Sequence, residues 1–171
     1  MCGLVSIHSD GQDLSNQHTV FDEMLQALSH RGPDGEGMAF IDDQILMGHK
    51  RLAIIDINNG SQPMISKCGR FRIIYNGEIY NYKELKNELK RKNIQFRTNS
   101  DTEVLLEMLI EYGEAALTRL NGMFAFVFHD HEKNKWIAAR DHFGIKPIYY
   151  HNSTKNLIFS SEIKALLKHP D

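Results

Sequence analysis

The run Met123-Phe-Ala-Phe-Val-Phe-His-Asp130 is strongly apolar and reads as a β-strand. Asp130-His-Glu-Lys-Asn134 is a polar turn, and Lys135-Trp-Ile-Ala-Ala-Arg140 returns beside it. The two form a hairpin, so the chain has an antiparallel sheet built into it. Other β-prone runs surround this one. Leu4, Val5 and Ile7 make a short strand closed by a turn at Ser9-Asp10-Gly11. Residues 36–42, 44–50, 52–57, 71–75, 145–150 and 157–160 read the same way. Asn76-Gly77, set between Tyr75 and Glu78-Ile79-Tyr80, carries the signature of a type I′ hairpin turn.

Helical spacing appears between these strands. Val20, Phe21, Met24, Leu25 and Leu28 predict a helix over residues 17–29. Asn81 with Glu84 resembles a capping box and predicts a helix over 82–92. Ser100 with Glu103 repeats the pattern, and Val104, Leu105, Met108, Leu109 and Tyr112 supply a buried face that Gly113 ends. A short helix at 115–120 and a last one at 163–168 complete the order. Strands, helices, then strands again is an α+β pattern of largely antiparallel sheets with helices layered over them.

A chain of 171 residues suggests one domain and buries roughly 70% of its unfolded surface without a disulfide or metal staple. The net charge of −2 favours neither nucleic acid nor anionic membranes as partners. Two cysteines, Cys2 and Cys68, make no disulfide framework, and no signal peptide or membrane-length apolar run occurs. A cytoplasmic location is expected. Nine histidines include no HExxH spacing, and no Gly-rich phosphate loop is present, so neither a metal nor a nucleotide cofactor is expected in this stretch.

Cys2 stands one methionine from the N-terminus. Removal of Met1 gives one residue both a thiol and a free α-amine. The amine titrates at about 7.7–8.0, so it serves as a base near neutral pH. Lys50 and Arg51 lie between apolar runs, either as a solvated edge or as an anion site; the arginine fork suits a carboxylate. Besides a turn, Asn76 and Gly77 offer an amide side chain beside a backbone N–H, a pair of oxyanion donors. Asp101 reads as an acidic first-turn residue favoured by the helix dipole. His30 and Arg31 sit at the Gly32-Pro33-Asp34-Gly35 turn; beside a catalytic role for the pair stands the favoured reading that Arg31 pins the turn by hydrogen bonds.

Eight segments in order carry a resemblance. They are Cys2-Gly3, His30-Arg-Gly-Pro-Asp34, Gly48-His-Lys-Arg-Leu-Ala-Ile-Ile-Asp56, Tyr75-Asn-Gly-Glu-Ile-Tyr-Asn-Tyr82, Ser100-Asp-Thr-Glu-Val104, Leu120-Asn-Gly-Met-Phe-Ala-Phe126, Ala139-Arg-Asp-His-Phe-Gly-Ile-Lys-Pro147 and Ser160-Ser-Glu-Ile-Lys-Ala-Leu166. Together they resemble the glutaminase domain of glutamine-hydrolysing asparagine synthetases, class II glutamine amidotransferases with the N-terminal-nucleophile hydrolase fold. Lys50, where the family often has arginine, and Ile148, for a common leucine, are small departures.

The resemblance implies a four-layer αββα sandwich over residues 1–171. It makes Cys2 the nucleophile and its α-amine the base. It puts Asn76 and Gly77 in an oxyanion hole, Arg51 on the α-carboxylate of glutamine, and Glu78 and Asp101 near its α-ammonium. Backbone of Leu52, Ala53, Ile54 and Ile55 would line the pocket. In the family the ammonia serves a synthetase domain that uses ATP and magnesium; that domain is expected in cis or on a partner chain, and a homodimer is possible. The glutaminase sandwich itself is expected to continue past Asp171. Service to another amide-forming acceptor, or a non-catalytic regulatory role, stays open.

Overall fold

The computed structural model describes residues 1–9, 11 and 13–171, with Asp42 described through its backbone only. In chain order the elements are β1 (Gly3–Ser9), α1 (His18–Gln26), β2 (Gly35–Ile41), β3 (Ile45–Arg51), β4 (Met64–Ile65), β5 (Phe71–Ile79), α2 (Tyr82–Arg91), α3 (Asp101–Tyr112), β6 (Gly122–Asp130), β7 (Lys135–Arg140), β8 (Tyr149–Asn152), β9 (Asn156–Ser160) and α4 (Ile163–Leu166). One sheet has the order β2-β3-β1-β9-β8 and the other β4-β5-β6-β7. Every strand pairing in the two sheets is antiparallel.

Strand alternation sorts the core into three slabs. On β1, Val5 and Ile7 join Phe21, Met24 and Leu25 of α1. Leu4 points the other way and meets Ile74 of β5 and Val127 of β6, between the sheets. On the far side, Ile73, Tyr75, Phe124, Phe126 and Phe128 pack against Leu85, Leu89, Leu105 and Met108 of α2 and α3. Burying each such large side chain contributes roughly 1.5–3 kcal/mol. The layers are α1 with α4, the first sheet, the second sheet, and α2 with α3. This is the expected αββα sandwich. Between the sheets, His49 Nε2 lies 2.9 Å from the Tyr75 carbonyl, a polar bridge from one sheet to the other.

Several local expectations are overturned. Asn76-Gly77 is no turn: β5 runs straight through it, pairing Asn76 with Ala125 and Gly77 with Phe124. Gly77 answers a close approach instead, since a Cβ there would meet the Met123 carbonyl at 2.3 Å. Residues 52–57 form no strand. The Arg51 guanidinium gathers the carbonyls of Ile55, Asp56 and Ile57 at 2.6–3.2 Å, and the loop curls around it. The strand expected over 145–150 begins only at Tyr149. The Asp141 carboxylate takes the N–H groups of Phe143, Ile145 and Lys146, so that stretch folds onto a side chain.

Capping also differs from expectation. Ser100 does cap α3, accepting from Thr102 N–H at 3.1 Å. Glu103, itself buried, accepts from the N–H groups of Arg97 and Thr98 instead. Asn81 makes no cap; its side chain bridges to the Arg119 carbonyl and the Asn121 N–H. Lys50 is not a solvated edge, being buried and paired with Glu36. The turn at Ser9-Asp10-Gly11 lies partly outside the described residues.

Candidate active site

The start of β1 delivers Cys2 to a pocket between the two sheets. Its Sγ accepts from the Leu52 N–H at 3.3 Å and approaches the Leu52 carbonyl at 3.6 Å. Burial pushes the thiol pKa up, against the Leu52 hydrogen bond and the nearby chain-terminal amine, Arg51 and Lys146. A thiol so placed stays protonated near neutrality and needs a base to become a nucleophile. Arg31 does not pin its own turn. It reaches back to the Cys2 carbonyl through Nε at 2.9 Å.

The facing wall comes from β5. Tyr75, Asn76, Gly77 and Glu78 all line the pocket. Asn76 is 1% exposed, and its Nδ2 has no hydrogen-bond partner among the described residues. A buried amide donor left unpaired costs about 1–3 kcal/mol. Such a donor on the wall that faces a cysteine is a group waiting for an acceptor.

Opposite charges line the rest. Arg51 and Lys146 are on the wall as cations, Glu78 and Asp101 as anions. Asp101, the first residue of α3, accepts from the Tyr75 hydroxyl at 2.8 Å and the Ile79 N–H at 3.1 Å. Burial raises its carboxyl pKa against those two bonds, with Glu78 adding to the rise. It is therefore more than a first-turn residue on the helix dipole. Two interacting carboxylates on one wall favour a cationic ligand. Arg51 has two nitrogens bound to the loop carbonyls, so it both shapes the loop and lends its charge to the wall.

Of the expected residues, Cys2, Arg51, Leu52, Ile54, Ile55, Asn76, Gly77, Glu78 and Asp101 come together on this wall. Ala53 does not; its N–H turns to Asp34 Oδ2 at 2.9 Å. Sequence reasoning missed Gln62, Thr102, Met123 and Lys146, which also line it. Gln62 Oε1 accepts from the Tyr75 N–H at 2.6 Å and so braces β5. Lys146 is buried, and its backbone is fixed by Asp141. A lysine inside the Gly144-Ile-Lys-Pro turn was the one available signal. Such a turn, without its fold, gives no direction for the side chain.

Known proteins share this arrangement of chain. A sequence model described as a glutamine amidotransferase domain matches residues 1–171. Asparagine synthetase [glutamine-hydrolyzing] 3 of Bacillus subtilis (strain 168) is 43% identical over 173 aligned positions, which cover 100% of this chain and 28% of that protein. A probable asparagine synthetase [glutamine-hydrolyzing] of Schizosaccharomyces pombe is 40% identical, covering 99% of this chain and 30% of the relative. The chain thus spans less than a third of the length of these relatives. Among solved structures, glutamine phosphoribosylpyrophosphate amidotransferase from B. subtilis superposes with a TM-score of 0.78 at 24% identity, over 96% of this chain and 43% of the other. That likeness carries the fold. With its whole length matched and two-fifths of its residues shared, the chain belongs to the glutamine amidotransferase domain family.

Proposed function

We propose that this chain hydrolyses glutamine to glutamate and ammonia through Cys2. The observation that carries the reading is the buried Nδ2 of Asn76, without a partner among the described residues, in the pocket that also holds the Cys2 thiol. After loss of Met1, the Cys2 α-amine takes the thiol proton. Sγ attacks the side-chain amide carbon, and Asn76 Nδ2 with the Gly77 N–H receives the charge that develops on oxygen. The α-ammonium returns its proton to departing ammonia and leaves a thioester. Water then releases glutamate. Arg51 takes the substrate α-carboxylate, and Asp101 with Glu78 takes the α-ammonium, so both ends of a zwitterion are read.

In the longer protein, the ammonia serves ATP-dependent amidation of aspartate. The support is the identity of about two-fifths to glutamine-hydrolysing asparagine synthetases, whose further length would hold the ATP and magnesium chemistry in cis. A cytoplasmic setting follows the same reading. The test is a glutaminase assay on the chain together with its intact mass. Glutamate should form only from chains that have lost Met1, and Cys2→Ser should be nearly inactive. Turnover at the normal rate with Met1 retained would remove the α-amine from the mechanism.

A further inference from the structure

Cys2 sits next to a chain end, where backbones fray. An attacking atom needs the opposite, because a misplacement of about 1 Å costs about 10²-fold in rate. Two sets of bonds resist fraying here. The Leu4 N–H donates to Ser161 Oγ, and the Ser161 N–H donates to the Leu4 carbonyl, both at 3.0 Å. Arg31 Nε donates to the Cys2 carbonyl itself. Gly3 leaves no slack between them, since a Cβ there would meet Leu28 Cβ at 2.9 Å.

Arg31 is 8% exposed, and a guanidinium so buried needs an anion. Glu162 supplies it: Arg31 Nη1 donates to Glu162 Oε1 at 2.7 Å. His30 Nε2 lies 2.8 Å from the same oxygen, and Lys164 Nζ lies 3.2 Å from the other. Burial works to raise the Glu162 carboxyl pKa. Hydrogen bonds from Arg31, His30 and Lys164 outweigh it and hold the pKa at about 2, so the anion persists at any working pH. Glu162 is not on the pocket wall. Its route to the chemistry runs through Arg31 to the backbone of the nucleophile.

We propose that Glu162 is a positioning residue for Cys2, acting through Arg31. The inference rests on the glutaminase reading and is tested with two readouts on the mature chain carrying Glu162→Gln, a near-isosteric change that keeps an acceptor and removes the charge. The first readout is kinetic. The value of kcat should fall about 10–100-fold with KM for glutamine within about twofold, as expected for a misplaced nucleophile and an intact binding wall. The second is amide hydrogen exchange in residues 3–6, which should quicken there while α2 and α3 keep wild-type protection.

Unchanged exchange in residues 3–6 overturns the proposal whatever the kinetics. Faster exchange with wild-type kcat also overturns it. So does global loss of protection, because the effect would then be on the whole fold. A wild-type chain that loses Met1 and still makes no glutamate sinks the glutaminase reading itself. An exchange difference in that case leaves Glu162 a purely structural brace and overturns the positioning role.

Discussion

Cys2 and Asn76 line one pocket from different sheets: Cys2 precedes β1 of the first sheet, and Asn76 lies within β5 of the second. The thiol and the unpartnered amide are brought together by the stacking of two sheets, not by either one alone.

The amide gives the sharpest expectation. Asn76→Ala should lower kcat by about 10²–10³-fold, the usual effect of removing one oxyanion donor. Its thermal midpoint should hold or rise slightly, because the lost donor has no partner among the described residues of the folded protein. Steady-state kinetics and a melting curve decide it. Wild-type kcat in the variant takes Asn76 out of the chemistry.

Asp101 should act on binding. Asp101→Asn keeps the shape and removes the charge proposed to take the substrate ammonium. A charge-assisted hydrogen bond contributes about 1.5–3 kcal/mol, so KM for glutamine should rise about 10–100-fold with a smaller change in kcat. A large loss of kcat at unchanged KM would assign the residue to the chemical step instead.

Gly77→Ala should damage the fold as well as the site. The added methyl meets the Met123 carbonyl at 2.3 Å and Phe124 Cα at 2.7 Å, both backbone atoms of β6. Overpacking of this kind costs about 1–3 kcal/mol. Gly69→Ala is a useful contrast, since its strain comes from a φ of +77° in open space and leaves the sheets untouched. Chemical denaturation should separate the two: loss of stability with loss of turnover for Gly77, loss of stability alone for Gly69.

Acid should loosen the sheet-to-sheet contact through His49. Burial lowers its pKa to about 4 from the ordinary 6.5, against the hydrogen bond to Tyr75. Between those values the unfolded chain binds the proton and the folded chain does not. Stability is therefore full above pH 6.5 and declines as pH falls toward 4, by up to about 3 kcal/mol from this one group. Urea midpoints at about pH 7.5 and about pH 5, on either side of the ordinary histidine value, measure the slope. His49→Gln should reduce it and leave the share of His129, whose pKa burial also lowers to about 4; an unchanged slope would place the acid sensitivity elsewhere.

Periodicity makes much of the fold legible. The stripe of Phe21, Met24 and Leu25 marks α1, and the alternating phenylalanines of β6 mark the strand at the centre of the larger core. The residue types at Cys2, Arg51 and Asn76 point to chemistry by their functional groups: a thiol, a carboxylate-binding fork and an amide donor. Asp101 reads locally as a first-turn acid, and its place near the substrate comes only with the family resemblance. What stays hidden is set by distant parts of the chain. Asn76-Gly77 has the local preferences of a turn, and only the nearness of Met123 gives the glycine a different purpose. Residues 52–57 have strand-like composition, but Arg51 collects their carbonyls. Gln62, Lys146 and the pairing of Arg31 with Glu162 depend on contacts that no local pattern encodes.

The division of thiol and amide between two sheets has a bearing on how the chain behaves while it is incomplete. A nascent or nicked chain that has formed only one sheet holds either the Cys2 sulfur or the Asn76 amide, never both. If the two act together as proposed, turnover of glutamine marks a closed sandwich, and a half-built molecule releases no ammonia.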